Sequence, residues 1–268
     1  MYKQLLKMIG FNSFGTRGDD KPCNWLICMT TTPERLTSNF LFRVLDALLA
    51  QKNSCPFKII LFLPYRSIRT GELYPDPGFL QEKYGEETLD IHRCEDMGPA
   101  TKFTGLLSYM PLIKDDVTHV YITDDDIILH PNVFQRVLKK ITKQPSRPTL
   151  DRTVLANDTG MLNDLPTVAG YAGILFPFTF FLEMASDTNL TPVWTALAEG
   201  EHPCFDVDDI LLSMLIRRFG YGVETTGLDP FKEVMNRSLT DQHPEWFELC
   251  KHTTRPQKTA QCKDVILP

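Results

Sequence analysis

The sequence predicts an α/β fold with a mixed, mostly parallel central sheet. Short apolar runs that suit buried strands alternate, along the first half of the chain, with segments whose apolar residues recur at helical spacing. Polar or acidic residues directly follow the first and the fourth of these runs, and in open α/β sheets the carboxyl ends of strands are where ligands bind. A chain of 268 residues with 43% hydrophobic side chains can bury a core of the size this fold needs.

The elements can be assigned in order from residue 25. The run 25–29 suits a buried strand, and a threonine at 31 or 32 followed by Pro33 marks a helix start. Apolar residues then continue at helical spacing to Leu48. Further strands are predicted at 57–63, 88–93 and 119–123, a loop at 70–78, and helices at 100–110 and 206–219. The segment 168–181 is aromatic and punctuated by glycine, and the polar tail after 229 is interpreted as a lid or wrapping segment.

Composition excludes several classes of protein. The net charge is −6 and the basic residues are scattered, so we expect no nucleic-acid partner. The longest apolar run, 172–182, is interrupted by Pro177 and is shorter than the roughly 20 residues of a membrane span. Residues 1–11 lack the apolar core of a signal peptide. The seven cysteines are odd in number and form no C-x-x-C pair, so we expect free thiols and a cytoplasmic location. Three N-x-S/T sequons are attributed to chance: Asn157, Asn189 and Asn236.

The strongest chemical feature is the acidic triplet Asp124, Asp125 and Asp126 directly after an apolar strand. Adjacent carboxylates at such a position repel one another and lose solvation, and a bound Mg²⁺ or Mn²⁺ relieves both effects. A solvated acidic turn is the alternative interpretation, but the preceding strand favours a cation site.

Three other segments strengthen this interpretation: two carry groups that suit an anionic ligand, and the third carries further acids. The sequence GPATK at 98–102 places Lys102 at a helix start, and TTTPER at 30–35 offers hydroxyls and Arg35 after the first strand. The sequence DVDD at 206–209 opens a late helix with three acids, more than capping of the helix dipole requires. Each segment alone is also typical of an ordinary helix cap.

Taken in order, these segments resemble a known family. The first strand leading into TTPER, the TDDDI strand end (a D-x-D motif), the GYAG segment and the late acidic pair are similar to GT-A glycosyltransferases. They are most similar to small glycosyltransferases of bacteria and of large DNA viruses of algae. The resemblance spans residues 24–220 and implies a GT-A (Rossmann-like) sheet flanked by helices. The polar, turn-rich stretch 16–22 ends a lead-in at 1–22. The rest is expected to be one domain at 23–268, with a nucleotide-binding half at 23–130 and a less regular acceptor-binding half and tail at 131–268.

The resemblance also implies roles for individual residues. Asp124 and Asp126 would flank the donor ribose and a Mn²⁺ or Mg²⁺ ion, with Asp126 as a direct ligand. Asp208 or Asp209 would act as general base, and His243, or alternatively His252, would add a metal ligand. His130 and His202 are interpreted as turn and loop residues. The sugar nucleotide would be bordered by Thr30, Thr31, Thr32, Arg35, Lys102, Asp124, Asp125, Gly170 and Gly173.

The implied reaction is sugar transfer from a nucleoside diphosphate, UDP by default, to a hydroxyl of a glycan or glycoprotein acceptor, with inversion. If the chain is viral, the location would be the host cytoplasm. Two alternatives stay open. One is a Mg²⁺-dependent phosphatase of the haloacid-dehalogenase type, which normally carries its Asp-x-Asp pair on the first strand of the domain. The other is a non-catalytic module that binds a sugar nucleotide or a glycan. The sequence leaves the oligomeric state open.

Overall fold

A seven-stranded sheet lies at the centre of the computed structural model, which describes residues 23–52, 55–113, 117–142, 152–162, 165–228, 231–234 (backbone) and 260–262. The strands in these ranges are β1 (Trp25–Thr30), β2 (Phe57–Leu63), β3 (Leu89–Arg93), β4 (His119–Ile122), β5 (Ile127–Leu129), β6 (Thr153–Ala156), β7 (Thr159–Leu162), β8 (Leu165–Val168), β9 (Ile174–Pro177), β10 (Gly222–Thr225) and β11 (Phe231–Val234).

The helices in the same ranges lie mostly between consecutive strands. They are α1 (Pro33–Leu36), α2 (Asn39–Leu49), α3 (Gly78–Tyr84), α4 (Thr101–Tyr109), α5 (Val133–Thr142), α6 (Phe178–Ser186), α7 (Thr191–Ala198) and α8 (Asp208–Arg218). Short 3₁₀ turns cover Met110–Leu112, Gly170–Ala172 and Thr188–Leu190.

The predicted fold class, a mixed and mostly parallel sheet flanked by helices, is confirmed. The strand order is β10-β6-β9-β4-β1-β2-β3. Only β9 within this sheet is antiparallel to its neighbours, β4 and β6. The described second half therefore completes the same sheet, although its weaker periodicity did not predict β6, β9 or β10. Two smaller antiparallel pairs, β5 with β11 and β7 with β8, lie outside it.

Both faces of the sheet are buried, which explains why its strands are continuous apolar runs. Leu26 and Cys28 of β1 belong to a core shared with α4, α6 and α8, whereas Trp25, Ile27 and Met29 belong to a second core shared with α2 and α5. Alternation of side chains along β1 divides the two cores.

The helical segment after β1 is broken into two pieces. Thr32 caps α1, since its Oγ1 accepts from the Arg35 N–H at 3.4 Å, and Pro33 occupies the first turn. The chain leaves helical geometry at Thr37, and Ser38 then caps α2 through the Leu41 N–H. The apolar spacing predicted helix across this break because residues on both sides of it face the same core.

The helix α3, which begins at the end of the predicted loop at 70–78, was not predicted from the sequence.

The expectation that the cysteines are free thiols is wrong for four of the seven. Cys23 is bonded to Cys55, and Cys204 to Cys262, while Cys28 and Cys94 are unpaired in the described chain. The first bond follows from sheet register. Cys23 and Cys55 each lie two residues before a strand position, Trp25 and Phe57, that pairs across β1 and β2. Wide spacing along the sequence therefore concealed neighbours in space. Cys250 lies outside the described residues.

Several predictions fall on undescribed parts of the chain. The lead-in 1–22, the histidines His243 and His252, and most of the tail after 229 lie outside the described residues. The exceptions in the tail are β11, which pairs with β5, and 260–262, where Cys262 is bonded to Cys204. Of the helices in the described ranges, none has the length and apolar character needed to cross a bilayer.

Candidate active site

The candidate site lies at the carboxyl edge of the sheet, where β1 and β4 end side by side. Their register pairs Cys28 with Ile122, so the residues after each strand emerge next to each other. The antiparallel strand β9 begins opposite Ile122, which brings the preceding segment 170–173 to the same edge. Residues far apart in sequence meet here because strand direction, not sequence distance, decides which ends are neighbours.

The three carboxylates that follow β4, Asp124, Asp125 and Asp126, are called here the strand acids. Asp125, whose side chain is 7% exposed, is held from the end of β1. Its Oδ2 accepts from Thr31 Oγ1 at 2.5 Å, and its Oδ1 accepts from an Arg35 guanidinium nitrogen at 2.7 Å. The Tyr74 hydroxyl in turn donates to the Thr31 carbonyl at 2.9 Å. The middle acid is thus anchored by the strand and short helix next to it.

The outer two strand acids are more accessible. The side chains of Asp124 and Asp126 are 29% and 30% exposed. The same Arg35 nitrogen that binds Asp125 lies 3.4 Å from Asp126 Oδ2, whereas Asp124 Oδ1 lies 2.6 Å from Lys102 Nζ. These are the two triplet positions expected to bind the cation and the ribose.

Asp208 and Asp209, called here the helix acids, occupy the first turn of α8. Asp208 Oδ2 lies 2.6 Å from Lys102 Nζ, and Asp209 Oδ1 accepts from the Gly170 N–H at 2.7 Å. The helix begins two residues later than predicted, which leaves Asp206 outside it in an ion pair with Arg69. Two of the three acids of DVDD therefore face the site network, and the third does not.

Lys102 joins the two groups of acids. Its side chain is 3% exposed and pairs with Asp124 of the strand acids and Asp208 of the helix acids. A Cβ on Gly170 would lie only 2.8 Å from Lys102 Nζ and 3.0 Å from Asp209 Oδ1. Glycine at 170 is thus what lets the backbone pass this close to the ion pairs.

Burial raises the pKa of several of these carboxyls. For Asp126 the loss of solvation outweighs the opposing effect of Arg35 and raises the pKa to about 7. Loss of solvation, with Asp208 adding to it, raises the pKa of Asp209 to about 7. The pKa of Asp124 is also raised by burial. Burial lowers the pKa of Lys102, but Asp124, Asp208 and Asp209 together hold it well above its usual value, so this lysine is charged.

The donor set suits a hard divalent cation. Five carboxyl groups face two cations, Lys102 and Arg35, and two of the carboxyls, Asp126 and Asp209, have a pKa of about 7. A divalent cation would compensate that excess of negative charge, and carboxylate oxygens are ligands that Mg²⁺ and Mn²⁺ prefer. Across the described ranges, no three His, Cys, Asp or Glu side chains are grouped closely enough to hold a metal ion by themselves. Asp124 and Asp126 would supply only part of a coordination shell, as expected where a ligand's phosphate oxygens complete it.

Asn157 holds one segment of the site in place, and its role was not predicted from the sequence. The side chain is buried at the end of β6, where its Nδ2 donates to the Ala172 carbonyl at 2.8 Å and to Tyr121 Oη at 3.1 Å. Its Oδ1 accepts from Thr226 Oγ1 at 2.6 Å. Asn157 therefore fixes the segment 170–173 against the sheet. A polar residue directly after an apolar strand was the available signal, the same one that marked Asp124.

The remaining predicted residues have specific places. Thr30 Oγ1 donates to the Phe62 carbonyl within the sheet, and Thr32 caps α1. Gly173 has φ of 93°, and a Cβ there would overlap the Tyr121 hydroxyl. Of the two histidines interpreted as turn and loop residues, His130 is exposed, and His202 is buried with its Nδ1 accepting from the Cys204 N–H.

The chain matches no protein-family model. No curated protein sequence matches it either. Among solved structures it is similar to a 4-diphosphocytidyl-2C-methyl-D-erythritol synthase, with 9% identity over 86% of this chain and 98% of that chain and a TM-score of 0.47. The corresponding synthase of Anaerococcus prevotii is similar at 12% identity over 85% of this chain and 100% of that chain, with a TM-score of 0.47.

A mannosyltransferase from Pyrobaculum calidifontis, solved with GDP-Man and Mn²⁺, is similar at 13% identity over 98% of this chain and 75% of that chain, with a TM-score of 0.46. At this level the likenesses support no statement about the ligands or activity of this chain. The interpretation of the site therefore depends on its own geometry.

Proposed function

We propose that this chain is a glycosyltransferase that uses a divalent cation to transfer a sugar from a nucleoside diphosphate to a hydroxyl acceptor. One observation carries the proposal. Two groups of carboxylates, 82 residues apart in sequence from Asp126 to Asp208, meet at the carboxyl edge of a parallel sheet and are joined there by one buried lysine. A cation-binding pair beside a second acidic pair is the arrangement that such a transfer needs.

In this proposal Asp124 and Asp126 hold Mn²⁺ or Mg²⁺, and the ion supplies charge neutralisation for the departing diphosphate. His243 stays a proposed further ligand. Arg35 lies beside Asp126, so its guanidinium can border the diphosphate. Thr30 and Thr31 already donate their hydroxyls within the protein, so we propose that they border the nucleotide through the backbone.

We assign the general base to Asp209 and not to Asp208. A base works best when its pKa lies near the operating pH, and the pKa of Asp209 is about 7. Asp208 is more deeply buried and is paired with Lys102, which suits a positioning role. Attack by an acceptor deprotonated on the face opposite the leaving diphosphate inverts the anomeric centre. Retention in the product would contradict this assignment.

The two alternative functions have less support. A haloacid-dehalogenase-type phosphatase would carry an acid at the end of the first strand, whereas β1 ends in threonines. A non-catalytic binding module has no need of an acid such as Asp209, whose burial costs solvation while its pKa is set near neutrality.

The cellular compartment, the donor nucleotide and the acceptor are less well supported than the reaction. The cytoplasmic expectation rested in part on unpaired cysteines. The bonds Cys23–Cys55 and Cys204–Cys262 remove that part of its support because disulfides persist chiefly in oxidising compartments. Titration of thiols in the unfolded, unreduced protein tests this. At most three of the seven cysteines should react if both bonds are present. A UDP-sugar as the donor and a glycan or glycoprotein as the acceptor stay proposals from the family resemblance.

A thermal-shift panel tests the proposed function. Nucleoside diphosphates and sugar nucleotides are added with and without Mn²⁺, because a ligand that binds only the folded state raises the unfolding temperature as its concentration exceeds Kd. We expect stabilisation by one nucleotide series that requires Mn²⁺, followed by slow hydrolysis of the matching sugar nucleotide. Stabilisation without hydrolysis would favour the binding module, and no stabilisation by any member would refute the proposal.

A further inference from the structure

The Lys102 ammonium lies between the two groups of acids and contacts one member of each. Its Nζ lies 2.6 Å from Asp124 Oδ1 and 2.6 Å from Asp208 Oδ2. The side chain is almost entirely removed from solvent. A buried ammonium is costly unless it is paired and hydrogen-bonded, so both carboxylates are needed to keep it there.

Four separate segments are shaped around this one cation. Lys102 comes from the start of α4, Asp124 from the end of β4, and Asp208 from the start of α8. The fourth is the backbone at Gly170, where any side chain would collide with Nζ. Such convergence makes Lys102 more than a neutralising surface charge, since it fixes where the helix acids lie relative to the strand acids.

We propose that Lys102 is a built-in cation that positions Asp208 against Asp124 and so limits the site to a single divalent cation, bound on the Asp126 side. The inference rests on the proposed function, which places one divalent cation at Asp124 and Asp126. Without the ammonium these two carboxylate oxygens could share a second ion, because both lie around one point and hard divalent cations such as Mg²⁺ bind carboxylate oxygens, in that case at about 2.0–2.1 Å. An ammonium within 2.6 Å of both oxygens fills that position.

The test is the number of Mn²⁺ ions bound per chain, measured by equilibrium dialysis and by the electron paramagnetic resonance signal of free Mn²⁺. The full-length wild type is compared with Lys102→Met, which keeps the length of the side chain and removes its charge. Lys139→Met, an exposed lysine on α5, is the matched control. We expect Lys102→Met to bind one ion more than the wild type, and Lys139→Met to bind the same number as the wild type.

The double variant Lys102→Met with Asp208→Asn removes one of the two carboxylates and should return the count to that of the wild type. An equal count in Lys102→Met and wild type would overturn the inference. The difference between the two proteins is what matters. A wild type that binds no Mn²⁺ would refute the cation in the proposed function, while a gain of one ion in Lys102→Met would still support the role of Lys102.

A second variant serves if Lys102→Met does not fold. In Asp208→Asn the ammonium keeps only Asp124 and competes with a divalent cation for it. We expect Kd for Mn²⁺ to rise at least about fivefold relative to Asp206→Asn, whose carboxylate pairs with Arg69 instead. Equal Mn²⁺ affinities in these two variants would overturn the inference.

Discussion

The strand acids and the helix acids share one edge of the sheet but are held in different ways. The strand acids are consecutive, and the middle one is anchored by Thr31 and Arg35 while the outer two keep partial access to solvent. The helix acids contact an ammonium and a backbone N–H instead. Asp208 depends on Lys102 and Asp209 on the Gly170 N–H, both from other segments. Each group nevertheless contains one acid fixed by close partners, Asp125 or Asp208, and one whose pKa is about 7, Asp126 or Asp209. Substitutions should separate the two kinds.

The largest effect is expected for Asp126→Ala. Loss of the proposed direct ligand removes several kcal/mol of charge stabilisation, and each 1.4 kcal/mol is a factor of ten, so turnover of the sugar nucleotide should fall at least about 1000-fold. The measurement is donor hydrolysis and transfer over a Mn²⁺ titration. Glu86→Ala, an exposed acid, is the control and should be unchanged. A fully active Asp126→Ala enzyme that ignores Mn²⁺ would rule out the cation site.

The next effect, with a lower bound of about 100-fold, is expected for Asp209→Asn and distinguishes the two helix acids. General-base catalysis contributes about 100- to 10,000-fold, so kcat for transfer should fall by that amount while nucleotide affinity is retained. The measurements are kcat for transfer and a nucleotide Kd from calorimetry. Asp208→Asn should instead change Mn²⁺ affinity. If Asp209→Asn kept full kcat and Asp208→Asn lost it, the assignment of the base would be reversed.

Most of the sheet could be predicted from the sequence because each central strand is buried on both faces. The strand β2 was predicted at its observed bounds, and β1 and β4 to within one residue. The misses have physical causes. Helical spacing could not reveal the break before Ser38, since both pieces face one core, and the short strands of the second half are too brief for a period.

The site could be predicted only as a set of candidates. The strand direction that brings Asp124, Lys102 and Asp208 together is a property of the whole sheet, so no local pattern contains it. The division of labour within the triplet was equally hidden, because the anchoring of Asp125 depends on Arg35, 90 residues away. The Cys23–Cys55 bond depends on register in the same way.

The anchoring of Asp125 predicts a loss of stability. In Asp125→Ala the Arg35 guanidinium, which is largely buried, loses the carboxylate that lies 2.7 Å away and keeps the 3.4 Å contact to Asp126. Removing one partner of a buried pair costs about 3–5 kcal/mol, and the remaining contact places this case at roughly 3 kcal/mol. Urea denaturation of Asp125→Ala and Asp126→Ala, both metal-free, makes the comparison. Equal midpoints in the two variants would show that Asp125 is no anchor.

The smallest expected effect concerns the pH dependence of stability in the metal-free protein. The folded-state pKa of Asp126 is about 7, well above its ordinary value, because burial outweighs Arg35. Between about pH 4 and 7 the folded state therefore binds more protons than the unfolded state at this residue, and its contribution to stability is lost as pH rises through 7. Asp126→Asn removes that loss. The stability of the variant relative to the wild type should therefore rise by about 1–2 kcal/mol from pH 5 to pH 8, a value kept below the full shift because solvent screens a partly exposed carboxylate.

The difference between variant and wild type is the quantity to measure, because other groups titrate in the same window. Burial lowers the pKa of His92 and His202, which makes stability rise with pH and opposes the effect of Asp126 in both proteins. Urea denaturation at pH 5 and pH 8 with a chelator gives the difference, and Glu86→Gln controls for surface charge. Added Mn²⁺ at pH 8 should stabilise the wild type but not Asp126→Asn. At pH 8 the variant should therefore be the more stable protein only in the absence of metal. An Asp126→Asn protein less stable than the wild type at pH 8 without metal would mean that Arg35 and not burial dominates at this carboxylate, and that the two outer strand acids are anchored as firmly as the middle one.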